Sequence, residues 1–112
     1  MNEKTRTVCE AGWERKAEDI TIMDMKDRSA LCDTFVVMSG SSTVRVKAIV
    51  DRIEEAIEEA GGRVYHKEGY QEAQWVLMDL GDVVVHVFHE QMRRFYALER
   101  LWGDAPRKQY LK

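Results

Sequence analysis

Proline occurs once in this 112-residue chain, at Pro106, and cysteine twice, at Cys9 and Cys32. The two thiols have neither metal-ligand nor redox-motif spacing, so they read as reduced cysteines of a cytoplasmic chain. Long apolar runs are missing: Phe35–Met38 and Val83–Val85 fall far short of the roughly 20 residues that cross a membrane. The opening MNEKTRTVCE lacks the basic, apolar and small-residue succession of a secretory signal. A basic excess is missing too, with a formal net charge of −3. Phosphate neutralisation dominates nucleic-acid affinity, so DNA is not expected as a ligand, and a basic protein suits this chain better than a polynucleotide. The length permits one domain with one core.

What is present reads as alternating strands and helices. Residues 1–17 form an N-terminal segment with room for a short helix, which Gly12 weakens. Ile20–Met25 alternates like a strand, and Thr34–Met38 has the continuous apolar character of a central one. After Ser39-Gly40-Ser41-Ser42, the residues Val46, Ile49, Val50, Ile53, Ile57 and Ala60 recur at helical spacing. Ser41 or Ser42 can cap this helix and Gly61-Gly62 can close it. Its charges oppose its dipole, with Arg45, Lys47 and Arg52 early and Glu54, Glu55, Glu58 and Glu59 late. Lys47 with Asp51 is an expected compensating pair.

Arg63–Lys67 is the next expected strand, followed by Trp75–Leu80 and Val83–Phe88 around Gly81-Asp82. Glycine at the first loop position suits a type II′ hairpin turn. Met92, Phe95, Leu98 and Trp102 then mark one stripe of a helix from His89 to Trp102, and residues 107–112 read as a C-terminal tail. The predicted order is (α)ββαβββα, an α/β or α+β domain over residues 18–106 with a mixed sheet of about five strands.

That hairpin register gives two unlike faces. Leu80/Val83, Met78/Val85 and Val76/Val87 form a core face. The other carries Asp79/Val84, Leu77/His86 and Trp75/Phe88, the composition of a recognition surface or of a core edge beneath the C-terminal helix. Trp75, Asp79, His86 and Phe88, with Tyr70 and Glu72 from the preceding loop, are the candidate partner-binding residues. Large aromatics beside carboxylates suit a patch rich in Lys and Arg.

His66, His86 and His89 have no second histidine or cysteine at ligand spacing, so no metal or other cofactor is expected. The Gly40 turn ahead of a helix resembles the phosphate-cradling turn of nucleotidyltransferases. That chemistry needs two closely spaced carboxylates on a following strand, whereas Asp51 falls in the helix and Asp79 and Asp82 flank a turn. No catalytic residues are assigned, and an enzyme is not expected.

Several blocks together are similar to one family. They are Lys16-Ala-Glu-Asp-Ile20, Asp33-Thr-Phe-Val-Val-Met-Ser-Gly-Ser41, Glu68-Gly-Tyr70, Trp75-Val-Leu-Met-Asp79, Gly81-Asp-Val-Val-Val-His-Val-Phe-His89 and Arg94-Phe-Tyr-Ala-Leu-Glu-Arg-Leu-Trp-Gly-Asp-Ala-Pro106. In order and without large gaps, they resemble the ribosomal silencing factors, also called RsfS or Iojap. The resemblance implies a reduced nucleotidyltransferase-like fold without a catalytic metal site. It also implies binding to the large ribosomal subunit through its protein fourteen, which blocks an intersubunit bridge and represses translation when nutrients are scarce. A large-subunit assembly adaptor is the alternative, a residual nucleotidyltransferase a more remote one, and the oligomeric state stays open, a homodimer included.

Overall fold

The structure, a computed structural model, describes residues 1–96 and 98–112, and the side chains outside 96–99. Glu3–Glu14 forms helix α1, twelve residues long, whose N-terminus is capped by Asn2 accepting from the Thr5 N–H at 2.8 Å. This helix is fuller than the weak one predicted. Gly12 is there for close packing, since a Cβ would meet Met38 Sδ at 2.7 Å. Helix α1 can therefore lie closely on the sheet, offsetting the roughly 1 kcal/mol that glycine costs a helix interior.

Strands β1 (Glu18–Asp24) and β2 (Thr34–Gly40) follow, then α2 (Thr43–Glu59), capped by Ser42 accepting from the Arg45 N–H at 3.0 Å. Gly61 ends this helix with φ +87°, a left-handed conformation open to glycine. The expected Lys47–Asp51 pair is replaced: Asp51 accepts from the Tyr70 hydroxyl, and Lys47 lies 5.4 Å from the Tyr70 ring centre. Arg52 instead meets Glu55 and Glu59 within α2 and Glu14 of α1, so two of the carboxylates that oppose the dipole are partly neutralised within the helix itself.

Strands β3 (His66–Glu68), β4 (Trp75–Asp79) and β5 (Val83–His89) complete the middle of the chain. β3 begins later than the predicted Arg63 and pairs only over three residues, His66 with Asp79 through Glu68 with Leu77. The C-terminal region forms α3 (Glu90–Tyr96), α4 (Leu98–Leu101) and β6 (Arg107–Gln109). The predicted single helical stripe is thereby corrected at Phe95, which is 77% exposed. The side chain of Leu98, also assigned to that stripe, lies outside the described ones.

The sheet has six strands in the order β3-β4-β5-β2-β1-β6, not about five. The additional strand lies within the segment predicted as a tail. Arg107-Lys108-Gln109 shows no apolar alternation, and it is held by antiparallel backbone pairing to Thr21–Met23. Tyr110 anchors its end, with its N–H donating to the Ile20 carbonyl and its ring edge-on to Trp13. β2 and β5 run parallel, while β1–β2, β1–β6, β3–β4 and β4–β5 are antiparallel.

Helices α1 and α2 cover one face of this sheet. Val46, Ile49, Val50, Ile53 and Ile57 pack with Val8, Cys9 and Ala11 over Val36, Met38, Val76, Met78, Val85 and Val87. Each fully buried side chain of this size contributes about 1.5–3 kcal/mol by leaving water, which makes this the main stabilising layer. A second, smaller cluster on the opposite face buries Met23, Met25, Cys32, Val37, Phe88 and Ala105. No helix among the described residues is long and apolar enough to cross a membrane.

Candidate functional site

The opposite face is where four of the predicted binding residues, Trp75, Asp79, His86 and Phe88, converge, and it is only partly roofed. The hairpin holds the expected register, with Leu77 facing His86 and Trp75 facing Phe88. Gly81 takes φ +96° at the first turn position, and its N–H donates to Asp79 Oδ1 at 2.8 Å. Asp79 therefore secures the turn as well as contributing charge.

Trp75 and Asp79 are half-buried, so each keeps surface that a partner can reach. Between and beside them lie half-buried Leu77, Val84 and Phe35, with Trp102 6.5 Å from the Phe35 ring. The exposed Glu68 sits opposite Leu77 on β3 and pairs with His66 at 3.1 Å, leaving a rim that carries two carboxylates, Glu68 and Asp79. An apolar floor with an acidic rim is the arrangement that docks a basic protein surface: the floor excludes water and the rim orients the charge.

Phe88 and His86, expected among the binding residues, lie beneath the surface. Phe88 is 0% exposed and His86 4% exposed, because the C-terminal segment bearing Met92 and Trp102 packs over this part of the face. They form the bed beneath Trp75, whose ring stacks on Phe88 at 5.1 Å. Burial depresses the His86 pKa from 6.5 to about 4, so the imidazole is neutral at physiological pH. Nδ1 accepts the Trp75 indole N–H at 3.0 Å, which places the ring proton on Nε2, a buried atom without a partner among the described residues.

Tyr70, also expected among the binding residues, lies elsewhere. It belongs to the helix-covered side, where it packs against the main core and donates to Asp51 at 2.9 Å. That bond to a carboxylate raises the Tyr70 pKa and ties the loop before Trp75 to α2. Glu72 is exposed on the same loop. Phe35 was not singled out by sequence reasoning, and Trp102 was named only on the stripe of the C-terminal helix. Phe35 opens a run apolar on both faces, which hides its orientation, and Trp102 reaches the face only through the fold of the C-terminal segment.

One further anchor holds that segment down. Arg93, 7% exposed, donates to the Asp19 carbonyl, to Ser39 Oγ at 3.0 Å and to Thr21 Oγ1 at 3.1 Å. Asp19 is a non-glycine residue at φ 52°, at the register shift in β1, so Arg93 also braces a strained backbone. Among the described residues no group of three or more His, Cys, Asp or Glu gathers into a metal-binding arrangement.

Fold and site together define a single-sheet α+β protein with one helix-covered face and one partly open face. Residues 1–112 match the family described as "Ribosomal silencing factor during starvation". The chain is 46% identical over 108 residues to the ribosomal silencing factor RsfS of Bacillus subtilis, covering 95% of this chain and 92% of that protein. It is 46% identical over 93 residues to RsfS of Halalkalibacterium halodurans, covering 83% and 80%. A crystal structure of a Chromobacterium violaceum protein superposes with a TM-score of 0.89 at 32% identity, covering 100% of this chain and 95% of that one. The chain belongs to the ribosomal silencing factor family.

Proposed function

We propose that this chain acts in the cytoplasm as a translational repressor that binds the large ribosomal subunit through its protein fourteen. Bound there, it blocks an intersubunit bridge and prevents the small subunit from joining. The mechanism is occupancy, with no bond made or broken: the fraction of large subunits silenced follows the affinity of the docking face. The supporting observation is the family match over residues 1–112, joined to a sheet face that leaves Trp75, Leu77 and Val84 half-exposed beside Asp79. Trp75 is the natural anchor, since large aromatics in desolvated pockets carry most interface energy. Asp79 and Glu68 match basic side chains on the ribosomal protein, with Glu72 as an outer charge.

The test is subunit joining in sucrose gradients with purified subunits and increasing protein. Free subunits should rise at the expense of the joined particle in proportion to large-subunit occupancy. An unchanged profile at saturating protein would overturn the silencing role.

A further inference from the structure

The charge of this chain is unevenly divided. Residues 90–112 carry six Lys and Arg against three Asp and Glu, whereas residues 1–89 carry eleven against seventeen. A net acidic protein therefore has a basic C-terminal flank. Asymmetry of this kind marks a surface built for an anionic partner.

The fold concentrates part of that charge in one cleft of about 450 Å³, lined by Arg93, Arg94 and Arg100 with Ser39. The lining also includes Glu18, Asp19 and Glu90. Arg93 and Asp19 answer one another: Asp19 Oδ2 lies 3.6 Å from the guanidinium, and Asp19 also holds Gln109. Arg94 and Arg100 are different. Both are exposed, and neither has a hydrogen-bond or ion-pair partner among the described residues. Arg107 adds to the same flank, since its guanidinium donates to the Trp102 carbonyl at the end of α4. The segment carrying these arginines also packs, through Met92 and Trp102, against the same buried cluster as Phe35, Trp75 and Val84 of the docking face. The basic flank and the acid-rimmed floor are therefore adjacent parts of one surface.

We propose that Arg94 and Arg100 bind backbone phosphates of large-subunit RNA beside the protein-docking face. The proposal rests on the function set out above and names a second ribosomal component. Guanidinium groups suit phosphate oxygens because their paired N–H groups match the anion's geometry. The division of labour explains the charge pattern: carboxylates face a basic protein, and arginines face the RNA around it. The acidic remainder of the chain disfavours RNA elsewhere, so phosphate contact also fixes orientation.

The experiment compares the full-length parent with a variant carrying Arg94→Ala and Arg100→Ala, titrated against purified large subunits and, separately, isolated ribosomal protein fourteen, each across a potassium chloride series. The variant should bind large subunits about tenfold or more weakly, with a salt slope shallower by about one to two. Its affinity for the isolated protein should be unchanged. A charge-retaining variant, Arg94→Lys with Arg100→Lys, should recover the parental salt slope. Unchanged affinity and slope on large subunits would overturn the RNA contact and leave the docking reading intact. Equal losses on the subunit and on the isolated protein would overturn it as well, because the arginines would then serve the protein face or the fold. A parent that binds neither probe would overturn both readings.

Discussion

The indole N–H of Trp75 donates to Nδ1 of His86 across the β4–β5 ladder, at 3.0 Å. This bond sets the orientation of the most prominent aromatic side chain on the docking face, and it requires a neutral imidazole. Protonation of Nδ1 would turn the acceptor into a donor and set two N–H groups against each other.

Stability should therefore fall with acid in a defined window. Because burial lowers the His86 pKa to about 4, its full contribution is present above pH 6.5, the ordinary value in the unfolded chain. Below that, the unfolded chain takes up the proton first, and the contribution is lost as pH falls from 6.5 towards 4. The limit is about 3 kcal/mol. Urea unfolding at pH 7, 6 and 5 should show a steeper decline for the parent than for His86→Gln. Parallel curves for the two would remove His86 as the cause.

Replacing Trp75 by phenylalanine should separate anchor from bed. The ring stacking on Phe88 is largely kept, but His86 Nδ1 loses its donor, at a cost of about 1–2 kcal/mol. Melting temperature should drop by a few degrees while the far-ultraviolet circular dichroism is retained. Affinity for the large subunit should fall with it, and full retention of affinity would place the anchor elsewhere.

Asp79 calls for asparagine rather than alanine. Asp79→Asn keeps an oxygen to accept the Gly81 N–H and removes only the charge. Affinity for large subunits should weaken by about 0.2–1 kcal/mol, the range for a rim charge, and the difference should shrink at high salt. Asp79→Ala should in addition lower stability by loosening the turn, which thermal unfolding measures directly.

Arg93→Met should be among the most damaging single changes. It removes a buried cation that satisfies Ser39, Thr21 and the Asp19 carbonyl, leaving buried polar groups unpaired. A loss of about 3 kcal/mol or more is expected in chemical denaturation. A change below 1 kcal/mol would mean that α3 needs no such anchor.

These contrasts show which parts of the molecule local sequence encodes. The β4–β5 register was legible because Gly81-Asp82 defines the turn and a period of two assigns every residue after it. The helix cap at Ser42 and its closure at Gly61 followed from local chemistry in the same way. β6 was not legible, because Arg107-Lys108-Gln109 pairs through its backbone with a strand more than eighty residues earlier. Of the candidate site, the grouping of Trp75 with Asp79 was readable from alternation. The burial of His86 and Phe88 stayed open between a recognition surface and a core edge beneath the C-terminal helix, since it depends on where Met92 and Trp102 come to rest.

The parallel pairing of β2 with β5 has a kinetic consequence. Thr34 faces Val83 and Gly40 faces His89, so every rung of this central ladder joins residues nearly fifty positions apart. The β4–β5 hairpin needs only a two-residue loop and belongs to the class that forms in about 1–10 μs. Long-range parallel pairing must close a far larger loop before any contact rewards it, which makes it the slow event. The hairpin thus stands ready before its neighbour, with the edge of β5 waiting for β2. Phe35 and Val37 reach their places beside His86 and Phe88 only when that edge is filled. This face is accordingly a late product of folding, completed by a ladder whose two strands lie nearly fifty positions apart in the chain.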